Sequence, residues 1–270
     1  MQAKYILGHS AEEIERLMLQ AAILRPFTER LLREAKIEPG MRVLDIGSGA
    51  GDVSMLAAEL VGPSGSVVGI DSSEQAVAQA GARAQTAGLR QVVFKNVGLD
   101  AFADPEPFDF VIGRYVLVFQ IDPVQFLRSA AKLTKPGGVI ALHEINLAGY
   151  FVSDPPVHQW DAMGNLIFAA FREALPHYDS ANHMVRHFTN AGLPVPNLFR
   201  ESITGGWEEG RFYLWLARSL RSVWPQLVEM GIVTEQAIHA EGLAAKLQDA
   251  VVRARSQVRS PAQVCAWAKL

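Results

Sequence analysis

The chain has 270 residues, of which 49% are hydrophobic and 20% charged, and its formal net charge is −3. This balance indicates an ordinary globular protein with a sizeable core, and it excludes a disordered or fibrous chain. Because no basic run is long enough to follow a phosphate backbone, we expect a small-molecule partner and no nucleic acid.

Cysteine content and hydropathy indicate the cellular compartment in which the protein is expected. Cys265 is the single cysteine, which excludes an internal disulfide and suits a reducing environment. No apolar stretch approaches the length that spans a membrane, and the first ten residues lack the apolar segment of a signal peptide. The sequence therefore predicts a cytoplasmic protein without a membrane partner.

The chain begins with predicted helices. Ser10 and Glu13 form a capping-box pattern, and apolar residues then recur at helical spacing. Because proline interrupts a helix, Pro26 predicts a break followed by a second helix over roughly 27–36. We therefore assign residues 1–38 to N-terminal helices.

Strands and helices alternate regularly between residues 41 and 147. The predicted strands are MRVLDIG, SVVGID, QVVFKN, FDFVIG and GVIALHEI. Strands that alternate with helices indicate crossover connections and a parallel sheet, and the near-continuous apolar runs suit strands that are buried on both faces. The sequence therefore predicts an α/β fold with a doubly wound sheet.

This alternation stops after Tyr150, where two prolines in DPPVHQW prevent a continuous strand or helix. Two mainly helical stretches, 150–192 and 208–256, follow the fifth and sixth strands. They alternate with a terminal pair of strands at 193–206 and 261–270. We interpret the helical stretches as cap insertions in a single domain.

The segment VLDIGSGAGD ends the first strand with Gly47, Gly49 and Gly51. Ligands of open α/β sheets bind at the carboxyl ends of the strands, and glycines let a ligand contact the main chain. Asp71 ends the second strand, where a carboxylate can accept two hydrogen bonds from a ribose diol. The combination predicts a cofactor of the adenosine type, and the alternative is a tight turn with a helix-capping aspartate.

The spacing of the glycines distinguishes between cofactors. A dinucleotide loop would need a small residue at the position of Asp52, which disfavours a nicotinamide-dependent oxidoreductase. The series DIGSGAG, together with VVGID and the later KPGG, resembles the class I S-adenosylmethionine-dependent methyltransferases over residues 41–147. Within that family the chain is similar to the small-molecule branch related to the quinone-pathway enzymes.

This resemblance implies a Rossmann-like sheet of seven strands, with the last strand antiparallel. It also implies S-adenosylmethionine as the cofactor, with its methionine moiety against residues 45–49 and its ribose on Asp71. The predicted cofactor-binding residues are Asp45, Gly47, Ser48, Gly49, Gly51, Asp71, Ser72, Gly98, Leu99, Asp100 and Arg114.

Two of these positions carry alternatives. The family usually has an acidic residue beside the adenine after the third strand, and Gly98 stands there instead. Either Asp100 takes that role, or main-chain groups of residues 97–99 hold the ring. Arg114 falls where the family's chain passes the amino acid end of the cofactor, and the alternative for it is a salt bridge at the surface or between domains.

Aromatic residues are concentrated in the cap, since 12 of the 23 lie between Tyr150 and Trp215. In this family a helical cap forms the acceptor pocket, so we expect an apolar or aromatic acceptor. Each single aromatic residue is better explained as part of the cap core. The residues considered are Trp160, Phe168, Phe171, Trp207 and Tyr213.

The predicted catalytic residues are His143, Glu144, His177 and Tyr178. Because the sulfonium activates the methyl group, catalysis needs mainly positioning and exclusion of water. A base is needed only if the acceptor must lose a proton, and the sequence does not choose among the four. For His143 and Glu144 the alternative is a hydrogen-bonded end of the fifth strand.

No metal site is predicted. His183 and His187 are spaced for one helix face, but a third ligand is lacking. The sequence thus predicts a methyltransferase for a small, apolar or aromatic metabolite, with a homodimer as one option for its assembly. The alternatives are a nicotinamide-dependent oxidoreductase and a cofactor-binding protein without methyl transfer activity.

Overall fold

The computed structural model describes residues 11–175, 177–206, 210–236 and 239–270. Ser10 of the predicted capping box and Trp207 of the aromatic segment lie outside these residues. The strands are β1 (Arg42–Ile46), β2 (Ser66–Asp71), β3 (Val92–Asn96), β4 (Phe108–Arg114), β5 (Thr134–Ile145), β6 (Val152–Asp154), β7 (Asn197–Gly205) and β8 (Gln257–Lys269). The helices are α1 (Ala11–Glu34), α2 (Asp52–Val61), α3 (Glu74–Thr86), α4 (Pro123–Lys132), α5 (His158–Ala174), α6 (Met184–Asn190), α7 (Gly210–Glu229) and α8 (Ala240–Ala254).

The strands form one mixed sheet. Its order is β3-β2-β1-β4-β5-β8-β6, and β7 also pairs with β8. The first five strands of this order are parallel, whereas β8 is antiparallel to β5, β6 and β7. The strand order reverses between β1 and β4, which places the carboxyl ends of these two strands side by side. The predicted doubly wound α/β fold is confirmed.

The apolar runs in the sequence correspond to strands that are covered on both faces. All residues of β5 from 138 to 145 are buried, and helices pack against both sides of the parallel strands, as this fold requires. A polar residue in such a run is therefore also buried, and this decides the position of His143 and Glu144 below.

The N-terminal region is one helix, so the predicted break at Pro26 is wrong. Helix α1 continues through Pro26 and packs against α2, α7, β5 and β8. A proline inside a helix costs roughly 3 kcal/mol, while burial of one leucine side chain contributes about 1.5–3 kcal/mol. Since Leu24, Leu31 and Leu32 are fully buried, packing outweighs the local penalty.

The sheet has eight strands, not the seven that the resemblance implied. The additional strand β6 lies directly before Pro155 and pairs with residues 257–259 of β8. This pairing, together with that of β7, extends β8 to Gln257, four residues before the predicted start at 261. The proline pair therefore ends a short strand and does not exclude one.

The cap is built by α5, α7 and α8, which pack on one another. Its centre is Trp160, which is fully buried. The ring of Trp160 lies 5.8 Å from Phe151, 5.1 Å from Phe212 and 5.5 Å from Tyr213, measured between centroids. Among the described helices, we find none that is long and apolar enough to cross a membrane.

Candidate functional site

A cavity of about 280 Å³ lies at the carboxyl ends of the parallel strands. The loops after β1, β2, β3 and β4 line one side of it, and residues of α1, α5 and α7 line the other. Because these loops meet where the strand order reverses, the cavity occupies the usual ligand position of an open α/β sheet.

The three glycines of the first loop have positive φ angles, and their surroundings differ. A Cβ atom at Gly47 would lie 2.5 Å from Val116 Cγ1, and one at Gly51 would lie 2.8 Å from Phe94 Cζ. At Gly49, where φ is +51°, a Cβ atom would have no neighbour within 4 Å. Packing thus explains Gly47 and Gly51, whereas Gly49 faces open space in the cavity wall.

Asp71 connects the first two loops. Its Oδ2 accepts a hydrogen bond of 2.9 Å from the Gly49 amide, and its Oδ1 accepts one of 2.8 Å from the Ser73 amide. Asp71 also lines the cavity. Since a carboxylate oxygen accepts two hydrogen bonds, both oxygens retain capacity for a ligand. The contacts that cap the helix and hold the loop therefore do not exclude the predicted role in ligand binding.

Other predicted cofactor residues also line the cavity. They are Gly47, Ser48, Gly49, Ser72, Gly98, Leu99 and Arg114. Ser48 Oγ is buried without a hydrogen-bond partner among the described residues, and a Cβ atom at Gly98 would have no neighbour within 4 Å. An unpartnered hydroxyl and open main chain are features that a polar ligand can complement.

Three predicted cofactor residues do not line the cavity: Asp45, Gly51 and Asp100. Asp45 is buried beneath the loop, and Ser54 Oγ donates to its Oδ2 at 2.6 Å. Burial raises the pKa of Asp45 to about 7. Of the two alternatives for the adenine, the cavity favours residues 97–99 over Asp100.

Arg114 ends β4 and lines the cavity. Its Nη1 donates to Thr28 Oγ1 at 3.4 Å. Among the described residues no carboxylate forms a salt bridge with it, so the alternative of a salt-bridged arginine is not observed. Sequence reasoning missed Thr28, because it lies on α1, far from Arg114 in the chain.

His143 and Glu144 are buried at the end of β5 and do not line the cavity. His143 contacts Thr28 Oγ1 at 2.9 Å and Gln263 Oε1 at 3.0 Å. Burial, assisted by the positive charge of Arg114, lowers the pKa of His143 to about 3. In the structure, His143 is thus hydrogen-bonded at the end of β5, as in the alternative to contact with the acceptor.

Glu144 holds the turn that follows β4. Its Oε1 accepts hydrogen bonds from the amides of Val116 at 2.9 Å and Leu117 at 2.8 Å. Burial raises the pKa of Glu144 to about 7. The carboxyl group therefore shapes the loop that contributes Tyr115 and Val116 to the cavity wall, and it does not itself reach the cavity.

The remaining predicted catalytic residues, His177 and Tyr178, also lie away from the cavity lining. His177 Nε2 lies 2.9 Å from the carbonyl oxygen of Ile121, and Tyr178 packs against the cap core. The described residues include no group of three or more His, Cys, Asp or Glu side chains that could hold a metal ion. His183 instead contacts Asp179 at 2.8 Å through Nε2.

The far wall of the cavity combines aromatic and polar side chains. Phe168, Phe171 and Trp215 belong to it, whereas Trp160 does not. Helix α1 adds the buried pair Glu13 and Arg16, whose side chains approach to 2.6 Å. The sequence signal for this pair is its helical i, i+3 spacing. The capping-box prediction used only Glu13, as the partner of Ser10, and overlooked Arg16.

Comparison with known proteins identifies the family. Residues 37–192, more than half of the chain, match the family described as a methyltransferase domain. This chain belongs to that family. The predicted membership of the class I S-adenosylmethionine-dependent methyltransferases is confirmed, and so is S-adenosylmethionine as the cofactor.

Relatives of this methyltransferase include enzymes for small molecules. The chain is 31% identical over 191 residues to aklanonic acid methyltransferase DauC of Streptomyces sp. (strain C5), covering 70% of this chain and 84% of the relative. It is 36% identical over 164 residues to nocamycin O-methyltransferase of Saccharothrix syringae, covering 59% and 55%. It is 35% identical over 115 residues to ubiquinone biosynthesis O-methyltransferase of Rhizobium johnstonii, covering 42% and 45%. The chain therefore spans only about half the length of the last two relatives.

A solved structure supports the fold of this methyltransferase. A protein of Bacillus halodurans C-125 superposes over 90% of this chain and 97% of its own, with 19% identity and a TM-score of 0.60. Membership of this family does not support a nicotinamide-dependent oxidoreductase. Asp52, which disfavoured that cofactor in the sequence, lies in the cavity wall and binds Arg83 at 2.7 Å.

Proposed function

We propose that this methyltransferase transfers a methyl group from S-adenosylmethionine to a small, apolar or aromatic molecule. The observation that carries the proposal is the continuity of the cavity. One space is bounded by Gly49 and Asp71 on the strand side and by Phe168, Phe171 and Trp215 on the cap side. Such a space places a cofactor and an apolar acceptor in contact.

The cofactor fits the strand side of this cavity. In the proposed arrangement, residues 97–99 contact the adenine, Asp71 accepts the ribose hydroxyls, and the first loop with Arg114 receives the amino acid end. The open positions at Gly49 and Gly98 provide the space. When bound, S-adenosylmethionine supplies a methyl group that its sulfonium activates.

The protein's own residues supply positioning and exclusion of water. None of the four predicted catalytic side chains lines the cavity, so we assign no proton transfer to them. Holding the acceptor in line with the methyl group in a closed site provides most of the rate enhancement that such a reaction needs. The cap and α1, which cover the cavity, perform this role.

The lining of the cap side supports the acceptor class. Aromatic and aliphatic side chains dominate it, including Ile167, Phe168 and Leu216, and apolar walls favour apolar ligands. Two of the relatives are named as O-methyltransferases, so we propose oxygen as the first acceptor atom to test.

We further propose that the protein is cytoplasmic and has no nucleic-acid partner, in agreement with the single cysteine and the net charge of −3. A homodimer is tested by sedimentation analysis of the whole chain.

The decisive experiment supplies the chain with methyl-labelled S-adenosylmethionine and the small-molecule fraction of its own cells. We expect a labelled small molecule that separates with apolar metabolites and is absent with the Gly49→Val variant. If the protein binds S-adenosylhomocysteine but labels no molecule, it is a cofactor-binding protein without transfer activity. If the protein binds neither S-adenosylmethionine nor S-adenosylhomocysteine, the proposed site is wrong.

A further inference from the structure

Arg114 is a cation in the cavity wall that has unused hydrogen-bond donors. It is half-buried and lines the cavity. Among the described residues its one hydrogen bond goes to Thr28 Oγ1. A guanidinium group is always charged and has five N–H donors, so several donors are left for a ligand in the cavity.

A chain of buried polar groups stands behind this guanidinium. Thr28 is fully buried on α1, and its Oγ1 contacts both Arg114 and Nδ1 of His143. Nε2 of His143 contacts Gln263 Oε1, to which the Tyr115 hydroxyl donates at 2.6 Å. The chain thus joins α1, β4, β5 and β8 at one point.

Two arrangements of protons satisfy these contacts. With the His143 proton on Nε2, the Thr28 hydroxyl donates to Nδ1. With the proton on Nδ1, His143 donates to Thr28, and the hydroxyl donates to Leu24 O at 3.3 Å. The Gln263 amide is then rotated, so that its nitrogen donates to Nε2 of His143 and to the Tyr115 hydroxyl oxygen. In both arrangements His143 is neutral and Thr28 Oγ1 accepts from Arg114.

Strand register fixes where the arginine lies. Arg114 and His143 are partners across β4 and β5, at the carboxyl ends of these strands. The charge of Arg114 acts on Asp45, directly before the first loop. The guanidinium group is therefore held between the end of β5 and the loop that receives the amino acid end of the cofactor in the proposed function.

We propose that Thr28 and His143 are positioning residues. They hold the guanidinium group of Arg114, which the proposed function places at the amino acid end of the cofactor, in the orientation that pairs with the cofactor's carboxylate. Arginine and carboxylate form strong, directional pairs. Since the inference rests on the proposed function, it applies to a site in which Asp71 and residues 97–99 bind the adenosine part independently.

Two nucleosides separate these contributions. S-adenosylhomocysteine carries the carboxylate, and 5′-methylthioadenosine has the same adenosine part without the amino acid end. Calorimetric titration of both ligands with the whole chain compares wild type, Arg114→Met, Thr28→Val and Thr28→Ser. Valine keeps the shape of threonine without its hydroxyl, whereas serine keeps the hydroxyl. Thr189→Val is the matched control, because Thr189 also bonds a helix carbonyl but is exposed on α6.

We expect Arg114→Met to lower the affinity for S-adenosylhomocysteine at least thirtyfold, and Thr28→Val to lower it about tenfold. Both variants should bind 5′-methylthioadenosine within threefold of wild type. Thr28→Ser and the Thr189→Val control should bind both ligands within threefold of wild type. Selective loss of the ligand that carries the carboxylate supports the inference, and rescue by serine assigns the effect to the hydroxyl.

Equal weakening of both ligands by Arg114→Met or Thr28→Val would overturn the inference, as would no change for either. If Thr28→Val is too unstable to titrate, the inference is judged by the other two variants. It then requires that Arg114→Met loses affinity only for S-adenosylhomocysteine and that Thr28→Ser binds both ligands as wild type does. Failure of the proposed function has a different signature, because wild type itself would then bind neither nucleoside, and the inference would fall with it.

Discussion

The carboxylate of Asp71 accepts a hydrogen bond of 2.9 Å from the amide of Gly49, 22 residues earlier in the chain. This contact ties the end of β2 to the glycine loop after β1. The two sequence features that predicted the cofactor are therefore parts of one structure. A change in either residue affects both the shape of the loop and the groups that a ligand meets.

Replacing Asp71 by asparagine tests this dual role. An amide has one acceptor oxygen, so either Gly49 or Ser73 loses its acceptor. We expect the free energy of unfolding to fall by about 1–2 kcal/mol. Affinity for S-adenosylhomocysteine should fall at least tenfold, or about 1.4 kcal/mol, in a calorimetric titration.

The matched control for this variant is Asp122→Asn. Asp122 also accepts a backbone amide, from Gln125, as the exposed N-cap of α4, and asparagine is an equally good N-cap. It should leave both stability and affinity unchanged. Full affinity in a folded Asp71→Asn protein would show that Asp71 serves only the loop and the helix cap.

Valine at Gly49 should abolish cofactor binding without loss of the fold. Gly88→Val is the control, because both glycines have positive φ and neither would place a Cβ atom within 4 Å of a neighbour. The backbone penalty is therefore similar, about 1–2 kcal/mol in each variant. Circular dichroism should be normal for both, and only Gly49→Val should lose S-adenosylhomocysteine binding, by more than a hundredfold. Binding by Gly49→Val would contradict a ligand at this position.

His143 should make the protein less stable in acid. Its pKa is lowered to about 3 in the folded protein, from an ordinary value of 6.5. Between these values the unfolded chain binds a proton that the folded protein excludes, so the contribution of His143 is lost as the pH falls. The raised pKa values of Asp45 and Glu144, about 7, act in the opposite direction.

A His143→Gln variant isolates this effect, since the two carboxyl groups are present in both proteins. Below pH 6 the stability advantage of wild type over the variant should shrink by up to about 1.4 kcal/mol per pH unit. Urea denaturation at several pH values measures it. A difference that does not change with pH would mean that folded His143 accepts a proton.

Phe171 should influence the acceptor and not the cofactor. It lies in the cap wall of the cavity, so Phe171→Leu should change the acceptor KM at least fivefold while S-adenosylhomocysteine affinity stays within tenfold, about 1.4 kcal/mol. The acceptor is the labelled molecule from the cell fraction.

Phe188→Leu is the control for Phe171, because Phe188 is fully buried outside the cavity lining. It should reduce stability and leave the acceptor KM unchanged. If the Phe171 variant instead weakens cofactor binding and leaves acceptor kinetics intact, the cap wall serves the cofactor, and our placement of the acceptor is wrong.

The sequence by itself determined the alternation of strands and helices, the ligand end of the sheet, and the pairing of a glycine loop with Asp71. These features depend on residues that are close together in the chain, through backbone propensity and the burial of each strand. They were sufficient to predict the doubly wound fold and a cofactor of the adenosine type, and the resemblance to the methyltransferases then implied S-adenosylmethionine.

Only the tertiary structure decided which of these residues reach the cavity. Gly49 faces open space, while Gly51 packs on Phe94. The ring of His143 contacts Thr28 and Gln263 instead of the cavity. The tertiary structure also made α1 continuous through its proline and brought that helix to the cavity. Each of these outcomes depends on packing between segments that are distant in sequence, where burial energies exceed local preferences.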